Sequence, residues 1–546
     1  MGRSTRFALL ILILCFTCAR RASATTYYVA ANGSDSNSGT SNSTPWLHAP
    51  GMSGCSDTCN STTPKAGDSI IFRGGDTWHY GNSSATPYIG GTWTWSWAGS
   101  SANCQLNAAA GTVLKTSCIY IGVDTTWYNS AVCGGSWCRP ILNGDNPLST
   151  SYITTCTHSE SGKNFLFFTA SYIIFDNFEW TGFCFDTADS GYATFTGGTY
   201  GEVSNNYFHG WTISSSILDQ NRMITCNGGG CGDGNYILVD HNVFDGSDSS
   251  LGTTDQQATG FALGVGTEIA YNIFWHLSNV YIGGKAINGH DNLIYWLFEP
   301  SDGSTHGNIY EMQGGQCGTY FYNNLIYITN EAEGPDLYTQ AACPIYYFNN
   351  IQYLWRVTWV GGVPVSHGDG SECILPENTG GSGSITWYTF NNTWDYPCNF
   401  SPKNITLTVN FENNHIIGYS PASLSSLYTG TTVDNGGELF QSESLANGQG
   451  YTPSNNYAPT SGSGATVGAG NNMTSLCSSI PNSLAATACT YGYGGVTYNQ
   501  TNHTAVPNTP TPRPSSGAWD TGAYQFGSGS VSGQPNPPTG LTAVVQ

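Results

Sequence analysis

Charged side chains are scarce in this sequence, and basic ones are the scarcest. Asp, Glu, Lys and Arg make up 9% of the 546 residues, with 14 Lys and Arg against 35 Asp and Glu. Such an acidic surface repels the phosphates of nucleic acids and of anionic lipids, so we expect no nucleic-acid partner. It also repels a polyanionic glycan, unless cations or local basic residues intervene.

Long apolar runs are absent too, apart from one near the start of the chain. Residues 7–16 form an apolar run after two arginines, and small residues at 22–24 supply a cleavage site. This arrangement predicts a signal peptide at residues 1–24, and hence a secreted, extracellular protein. The alternative is an N-terminal anchor, but the run is too short to span a bilayer, and we expect no membrane insertion. Removing the signal leaves ten basic residues against 35 acidic ones, a net charge of −25.

Cysteine, by contrast, is abundant. Sixteen of the 18 cysteines lie outside the signal peptide, and in a secreted protein an even number predicts disulfides rather than zinc ligands. Pairing of sequential neighbours is the connectivity that we expect. The pairs are Cys55/Cys59, Cys104/Cys118, Cys133/Cys138, Cys156/Cys184, Cys226/Cys231, Cys317/Cys343, Cys373/Cys398 and Cys477/Cys489.

From about residue 165 a degenerate repeat runs along the chain. Each copy is a β-rich run that ends in Asn and is followed by two mostly apolar residues. The repeat residues are Asn177, Asn206, Asn242, Asn272, Asn292, Asn324, Asn350, Asn392 and Asn414. Their irregular spacing, between 20 and 42 residues, excludes a helical solenoid and favours coils of short strands with variable loops. An Asn at one corner of each coil can stack on the next and satisfy backbone groups at the turn.

These repeats, the opening at residues 27–35 (YYVAANGSD) and the late segment 517–525 (GAWDTGAYQ) resemble secreted pectate-lyase-like parallel β-helix proteins. The resemblance covers residues 25–526 and implies an all-β, right-handed parallel β-helix with disulfide staples. We expect an entry region with the first coils at 25–160 and the helix body at 161–526. A Gly/Ser/Pro linker follows at 527–538, and residues 539–546 resemble the start of a fibronectin type III module.

Side-chain alternation predicts which residues face outward. Positions three and five before each repeat Asn are mostly apolar and predicted to face the core, so positions two and four before it are predicted to face outward, into solvent. The outward positions include Phe175 in an early coil and Glu202, Asp240, Glu268 and His290 in the middle coils. This pattern suits a catalytic cleft, and an ordinary amphipathic sheet would show it equally.

The third residue after each Asn forms a second predicted column, rich in aromatic side chains. It includes His209, Asp245, Trp275 and Tyr295. Stacked rings present flat faces to sugars, so His209, Trp275 and Tyr295 are candidate substrate-binding residues. Stacked rings also stabilise a β-helix wall without any ligand, and both interpretations stay open.

The resemblance implies two reactions. Many β-helix polysaccharide lyases abstract a sugar proton with a Lys or Arg, and Lys285 is the only lysine between residues 164 and 402. A lysine of a solvated loop is the alternative, with Arg222 and Arg356 as reserve bases. A hydrolase instead needs two carboxyl groups flanking the scissile bond, which Asp240, Asp245 and Glu268 could supply.

Other signatures are weak. The adjacent Asp-Asp pair and Gly-His-Gly of polygalacturonase-type hydrolases are missing, and the motifs at 289–291 and 367–369 only partly match them. Nucleophile-elbow, phosphate-loop and zinc signatures are missing as well. No cofactor is indicated with certainty, and calcium is the ion that Asp233, Asp245 and Asp248 would suit.

Two classes of function therefore stay open. The first is a secreted carbohydrate-active enzyme that cleaves an extracellular polysaccharide, as a lyase or as a glycoside hydrolase. The second is a non-catalytic glycan-binding, adhesion or cell-surface structural protein. In either class we expect a monomer whose partner is a polysaccharide or a cell-surface glycan.

Disulfides one coil apart predict a definite peptide map. Digestion without reduction should link Cys317 to Cys343 and Cys373 to Cys398, because spacings of 26 and 25 residues match one coil. Loss of one such bridge should lower the free energy of unfolding by about 2–4 kcal/mol. Free thiols at these four positions, found by alkylation of the unreduced protein, would contradict the expected register.

Overall fold

The computed structural model describes most of the chain after residue 23. The described residues are 24–106, 115–150, 155–158, 165–185, 192–195, 200–213, 222–226, 236–249, 260–263, 268–277, 282–284, 288–297, 311–313, 318–329, 336–338, 344–353, 357–360, 363–367, 376–377, 383–395, 405–418 and 431–527. The linker beyond residue 527 and the final stub lie outside them.

Two long parallel sheets form most of the fold, and their strands alternate along the chain. Sheet 1 contains Thr26–Val29, Ser69–Gly74, Ile119–Tyr128, Ile173–Asp176, Tyr200–Ser204, Tyr236–Asp240, Glu268–Ala270, Asn288–His290, Thr319–Tyr322, Ile345–Phe348, Gly383–Phe390, Ile405–Glu412 and Thr431–Asp434. Sheet 2 contains Thr77–His79, Ile141–Asn143, Glu179–Thr181, Tyr207–His209, Val243–Asp245, Ile273–Leu277, Leu293–Leu297, Leu325–Thr329, Ile351–Tyr353, Thr393–Asp395, His415–Ile417 and Leu439–Gln441.

A third wall is shorter in the described part of the chain. Sheet 3 contains Trp93–Trp95, Leu166–Phe168, Ala193–Phe195, Arg222–Cys226, Gly260–Leu263 and Ile282–Gly284, and a separate parallel sheet contains Glu311–Gln313, Asp336–Tyr338 and Pro376–Glu377. Each successive strand of a sheet pairs with the strand one coil earlier. This topology is a parallel β-helix, as predicted, and parallel crossovers of this kind are nearly always right-handed.

The remaining elements are short. Cys184–Phe185 pairs with Thr212–Ile213 in parallel, while Val357–Val360 with Val363–His367 and Val496–Asn499 with Thr504–Pro507 are antiparallel hairpins. The α-helices are Asp57–Ser61, Ser130–Cys133, Glu443–Gly448, Thr474–Ser479 and Ser483–Cys489, and 3₁₀ turns lie at Ser101–Asn103 and Pro453–Asn455. None of the helices in the described ranges has the length and apolarity that a membrane crossing requires.

The predicted asparagine ladder lies at the corner between sheets 1 and 2. From Asn206 to Asn414, each Nδ2 donates to the Oδ1 of the next ladder residue at 3.0–3.2 Å. Each Oδ1 also accepts the backbone N–H of the preceding ladder residue, as in the 3.0 Å bond from Asn242 to Asn272. All eight members are fully buried. The ladder prediction is therefore confirmed for these eight residues.

The first expected ladder member, Asn177, was assigned wrongly by one residue. Asn206 pairs with Phe178 rather than with Asn177, since its Oδ1 accepts the Phe178 backbone N–H at 2.9 Å. Asn177 occupies the preceding corner position, with φ of 71°. The error arose because Asn is also favoured at the left-handed corner position, so a single Asn does not show which of two adjacent positions it fills.

Inward side chains fill the space between the walls. The rings of Phe208, Phe244 and Phe274 stack along the axis with centroids 4.7 and 5.4 Å apart. At the N-terminal end the core widens into a cluster of tryptophans that includes Trp78, Trp93 and Trp95. The alternation predicted for the strands is thus seen in the core.

Five of the eight expected disulfides join described residues. They are Cys55–Cys59, Cys104–Cys118, Cys133–Cys138, Cys156–Cys184 and Cys477–Cys489. Only the fourth spans about one coil of sequence. The other three expected pairs include cysteines outside the described residues and stay predictions.

Replacement of one ladder member should destabilise the fold measurably. Asn324→Leu removes the amide that bonds Asn292, Asn350 and the Gly289 carbonyl. Buried backbone groups then lose partners, so the free energy of unfolding should fall by about 1–3 kcal/mol in urea titrations. The exposed Asn42→Leu is the control and should change it little. Equal stability of Asn324→Leu and the unmodified protein would show that the ladder is dispensable.

Candidate functional site

Sheet 1 carries a line of acidic residues on its outer face. Strand pairing aligns Ser204 with Asp240, and it aligns Leu238 with both Glu202 and Glu268. We call Asp176, Glu202, Asp240, Glu268 and His290 the acidic row. The inward neighbours of these residues, such as Val203 and Val239, lie in the core, so alternation places the row on the opposite face. Asp240, Glu268 and His290 thus point away from the core as predicted, but the expected exposure to solvent is wrong for Glu268 and His290, which neighbouring side chains bury.

Glu202 lies on the coil before Asp240 and is almost completely buried. Lys115 Nζ contacts both of its carboxylate oxygens at 2.9 and 2.8 Å. Burial, and then the charge of Asp240, raise the pKa of Glu202 to about 8, although Lys115 acts in the opposite direction. Burial also raises the pKa of Asp240, against the effect of His241. Because the two carboxyl groups are close, they titrate as a pair that retains a proton near neutral pH.

Glu268 has the opposite electrostatic environment. Its Oε2 accepts the Tyr236 hydroxyl at 2.5 Å, and its Oε1 lies 3.3 Å from His290 Nε2. Burial alone would raise the pKa of Glu268, but the hydrogen bond and charge of His290 lower it overall. Burial would lower the pKa of His290, yet its bonds to Asp291 at 2.8 Å and to Glu268 raise it to about 9. Glu268 is therefore an ionised carboxylate at neutral pH.

The coils of Asp240 and Glu268 differ from the other coils in the residue at the corner between sheets 1 and 2. The residue before each ladder Asn has φ near +55°, and from coil to coil it is Asn or Asp except at His241 and Tyr271. A non-glycine residue at positive φ costs about 1–2 kcal/mol unless it is Asn or Asp. Both exceptions lie on the coils of Asp240 and Glu268. Their rings stack 5.0 Å apart, and His241 Nδ1 lies 2.7 Å from Asp240.

The second predicted column lies on the outer face of sheet 2. Asp245, Trp275 and Tyr295 align on successive strands, and the Trp275 and Tyr295 rings stack 4.0 Å apart. The C-terminal segment, residues 443–527, covers this face. Tyr498 lies 5.3 Å from the Trp275 ring and donates its hydroxyl to Asp245 at 2.8 Å. Protein side chains thus contact the faces of these rings, and sugar binding by Trp275 and Tyr295 stays a prediction.

His209 begins the same column but lies nearer the surface. Its two ring nitrogens contact Glu179 at 3.1 Å and Asp248 at 2.8 Å. Burial would lower the pKa of His209, and the two carboxylates raise it to about 9. Tyr207 stacks on His209 at 4.2 Å and on His503 of the C-terminal segment at 4.1 Å. His209 therefore joins two coils and the C-terminal segment.

The structure brings together only part of the predicted constellation. Asp240, Glu268 and His290 lie on one face, whereas Asp245 lies past the Asn242 corner on sheet 2 and is bonded to Tyr498. Lys285, Arg356 and Asp233 are outside the described residues, so the proposed base and the calcium site remain untested. Within the described ranges, no group of three His, Cys, Asp or Glu is arranged to hold a metal ion.

Two acidic-row members escaped the sequence analysis as candidate site residues. Glu202 was recognised as outward but not connected to Glu268, although both stand four residues before a ladder Asn. The sequence pattern does not mark Asp176 as outward, because Asn177 fits the ladder motif. In the structure Asp176 aligns with Ser204. Phe175, which was expected to face outward at this coil, instead faces the core, as does Trp180.

Comparisons with known proteins place the chain near several solved structures of carbohydrate-active enzymes. A lacto-N-biosidase from Eubacterium ramulus is 12% identical, with 76% of this chain and 68% of that chain covered and a TM-score of 0.41. The pectate lyase Pel9A is 14% identical, with 93% and 97% covered and a TM-score of 0.38. A rhamnogalacturonan lyase is 12% identical, with 76% and 87% covered and a TM-score of 0.38. No family model and no curated protein matches the chain. Similarity at this level assigns no activity, which has to be argued from the site.

The His290 ion pairs predict a loss of stability at alkaline pH. A histidine whose pKa rises from 6.5 to about 9 on folding stabilises the fold fully below pH 6.5, and this contribution disappears as the pH passes 9. The free energy of unfolding should therefore fall by about 3 kcal/mol between pH 6 and pH 10 through this group. In His290→Gln that part of the slope should vanish.

His415 provides the matched control. It is buried and bonded to Gln441, but burial lowers its pKa to about 4, so it is neutral throughout this pH range. His415→Gln should keep the pH dependence of the unmodified protein. An unchanged slope in His290→Gln would contradict the assigned charge of His290.

Proposed function

We propose that this chain is a secreted enzyme that hydrolyses an extracellular glycan, with Glu202 as the acid and Glu268 as the base. The observation that carries the proposal is the placement of these two carboxyl groups on one outer face, on either side of Leu238. Two coils separate their backbones by about 10 Å. Inverting glycosidases hold their carboxyl pair about 6.5–9.5 Å apart, with space for a water. The proposed reaction therefore inverts the anomeric configuration.

The electrostatics of the row support these roles. A general acid must hold its proton near neutral pH, as the pair of Glu202 and Asp240 does, and a base must be ionised, as Glu268 is. In the reaction, Glu202 donates its proton to the glycosidic oxygen while the carbon–oxygen bond breaks. Glu268 takes a proton from the attacking water, and His290 holds Glu268 in its ionised form beforehand.

Secretion has support from the disulfides. Five bridges among the described residues suit an oxidising compartment outside the cytosol. An extracellular glycan would then be accessible to the protein. Elimination with Lys285 as the base is the alternative reaction, and calcium dependence of product formation would favour it.

A non-catalytic wall protein is the second candidate function. The observation that favours it is the covered aromatic column, whose rings pack against Tyr457 and Tyr498. In that case the acidic row serves as a buried polar network, and neither carboxyl group would affect any reaction.

Substitution of the two carboxyl groups tests the proposal. On a natural glycan that the protein cleaves, Glu202→Gln and Glu268→Gln should each lower kcat by about 100-fold or more, measured by release of reducing ends. An aryl glycoside with a good leaving group needs little acid assistance, so it should restore much of the rate of Glu202→Gln alone. Glu412→Gln is the control, because Glu412 lies on the same face of sheet 1 near its C-terminal end.

Three results would contradict the proposal. They are full activity in either variant, an equal loss in Glu412→Gln, and the absence of cleavage across a broad glycan panel. Proton NMR of the first product identifies its anomeric configuration, and retention would exclude the assigned pair of residues.

A further inference from the structure

We infer that the acidic row takes an uncharged glycan, whose sugar ring stacks on Tyr271, next to His241, and whose hydroxyls donate to Asp240 and Asn288. This inference rests on the proposed function for the location of the site and adds the class of substrate. Three independent features of the described residues support it: charge, unpaired acceptors and aromatic faces.

The charge around the row opposes an anionic ligand. Asp176, Glu202, Asp240, Glu268 and Asp291 face three basic side chains, Lys115, His290 and Arg139, and His241 lies beside Asp240. The five carboxyl groups outnumber these three cations. In addition, Lys115 is already bonded to Glu202, His290 to Glu268 and Asp291, and Arg139 to backbone carbonyls. A chain of uronates would bring further negative charge into this field and find no free cation among the described residues.

Two buried acceptors, one in the acidic row and one beside it, lack a donor. Among the described residues, Asp240 Oδ1 and Asn288 Oδ1 have no hydrogen-bond partner, and Asn288 is only 7% exposed. Asn288 aligns with Glu268 on the next coil, so the two acceptors flank the proposed base. Buried polar atoms are nearly always paired, and an amide oxygen and a carboxylate oxygen both suit a donor. Sugar hydroxyls supply such donors, and the carboxylate that a uronate carries in addition would bring only another acceptor.

The corner residues supply an aromatic surface next to these acceptors. Tyr271 and His241 are half-buried and stacked, and the Tyr271 ring meets His290 edge-on at 5.6 Å. They are also the two corner residues that are neither Asn nor Asp, so stability alone does not account for their presence. Stacking on a sugar face does, since the rings stand beside Asp240 and His290.

Binding measurements on the full chain with the Glu202→Gln substitution test the inference apart from cleavage. The probes are soluble xylan, galactan and glucomannan, then polygalacturonate with its fully methyl-esterified form, and chitosan. We expect an uncharged polymer to bind best. We also expect the methyl-esterified form to bind at least about 10-fold more tightly than polygalacturonate at low salt, because the two differ only in charge.

A tyrosine substitution tests the stacking surface. In the same background Tyr271→Asn should weaken binding of the best uncharged probe about 10-fold, while the midpoint of thermal unfolding is kept or raised. Tyr172→Asn is the matched control, because Tyr172 also has positive φ, at 64°, and stacks on Tyr200 away from Asp240. Its affinity should equal that of the parent.

The outcomes separate the two proposals. Tighter binding of polygalacturonate or chitosan, no binding to any probe by folded protein, or unchanged affinity in Tyr271→Asn would overturn the inference. If the binding pattern holds but the unsubstituted chain cleaves none of these glycans, the hydrolase proposal fails while the inferred ligand class stands.

Discussion

Each coil of the β-helix must turn from sheet 1 to sheet 2 without leaving buried amides unpaired, and the asparagine stack meets this requirement. An Asn side chain donates and accepts at once, so Asn242 can bond Asn272 on one side and Asn206 on the other. The repetition fixes the register of both sheets over eight coils. The outward alignment of the acidic row follows from this register, since a slip of one residue would turn every side chain to the other face.

The C-terminal segment determines which outer surfaces are accessible. Two buried arginines fasten it to the coils: Arg139 donates to the carbonyls of Asn502 and His503, and Arg513 donates to Asn349. The segment covers the aromatic side chains of sheet 2 and the tyrosines at the far end of sheet 1. Two of the few basic residues of the chain thus hold the C-terminal segment against the sheets. The Cys104–Cys118 disulfide and Leu106 pack on Ile174 and Leu238, so they cover part of the outer face of sheet 1 on the coils before Glu268.

Two features of the proposed site are unfavourable for the free energy of folding. Burial of carboxyl groups is unfavourable unless charge partners compensate, and His241 and Tyr271 hold backbone angles that disfavour their side chains. Elsewhere on the same corner, Asn323 and Asn349 avoid that second cost. On the coils of Asp240 and Glu268 the two kinds of cost occur together, which suits the proposed site.

The repeat of Asn and the alternation of apolar residues determined the fold and the outward direction of Asp240, Glu268 and His290, because both patterns act locally and recur in each coil. The same patterns misplaced Asn177, where two adjacent positions both favour Asn. Only the tertiary structure decided which outward residues meet, because that depends on segments far along the chain that pack on the sheets. It separated Asp245 from Asp240 at a corner and buried Trp275 beneath Tyr498, more than 200 residues later in the chain. Burial and neighbouring charge, not residue type, then shift the pKa values of Glu202 and Glu268 in opposite directions.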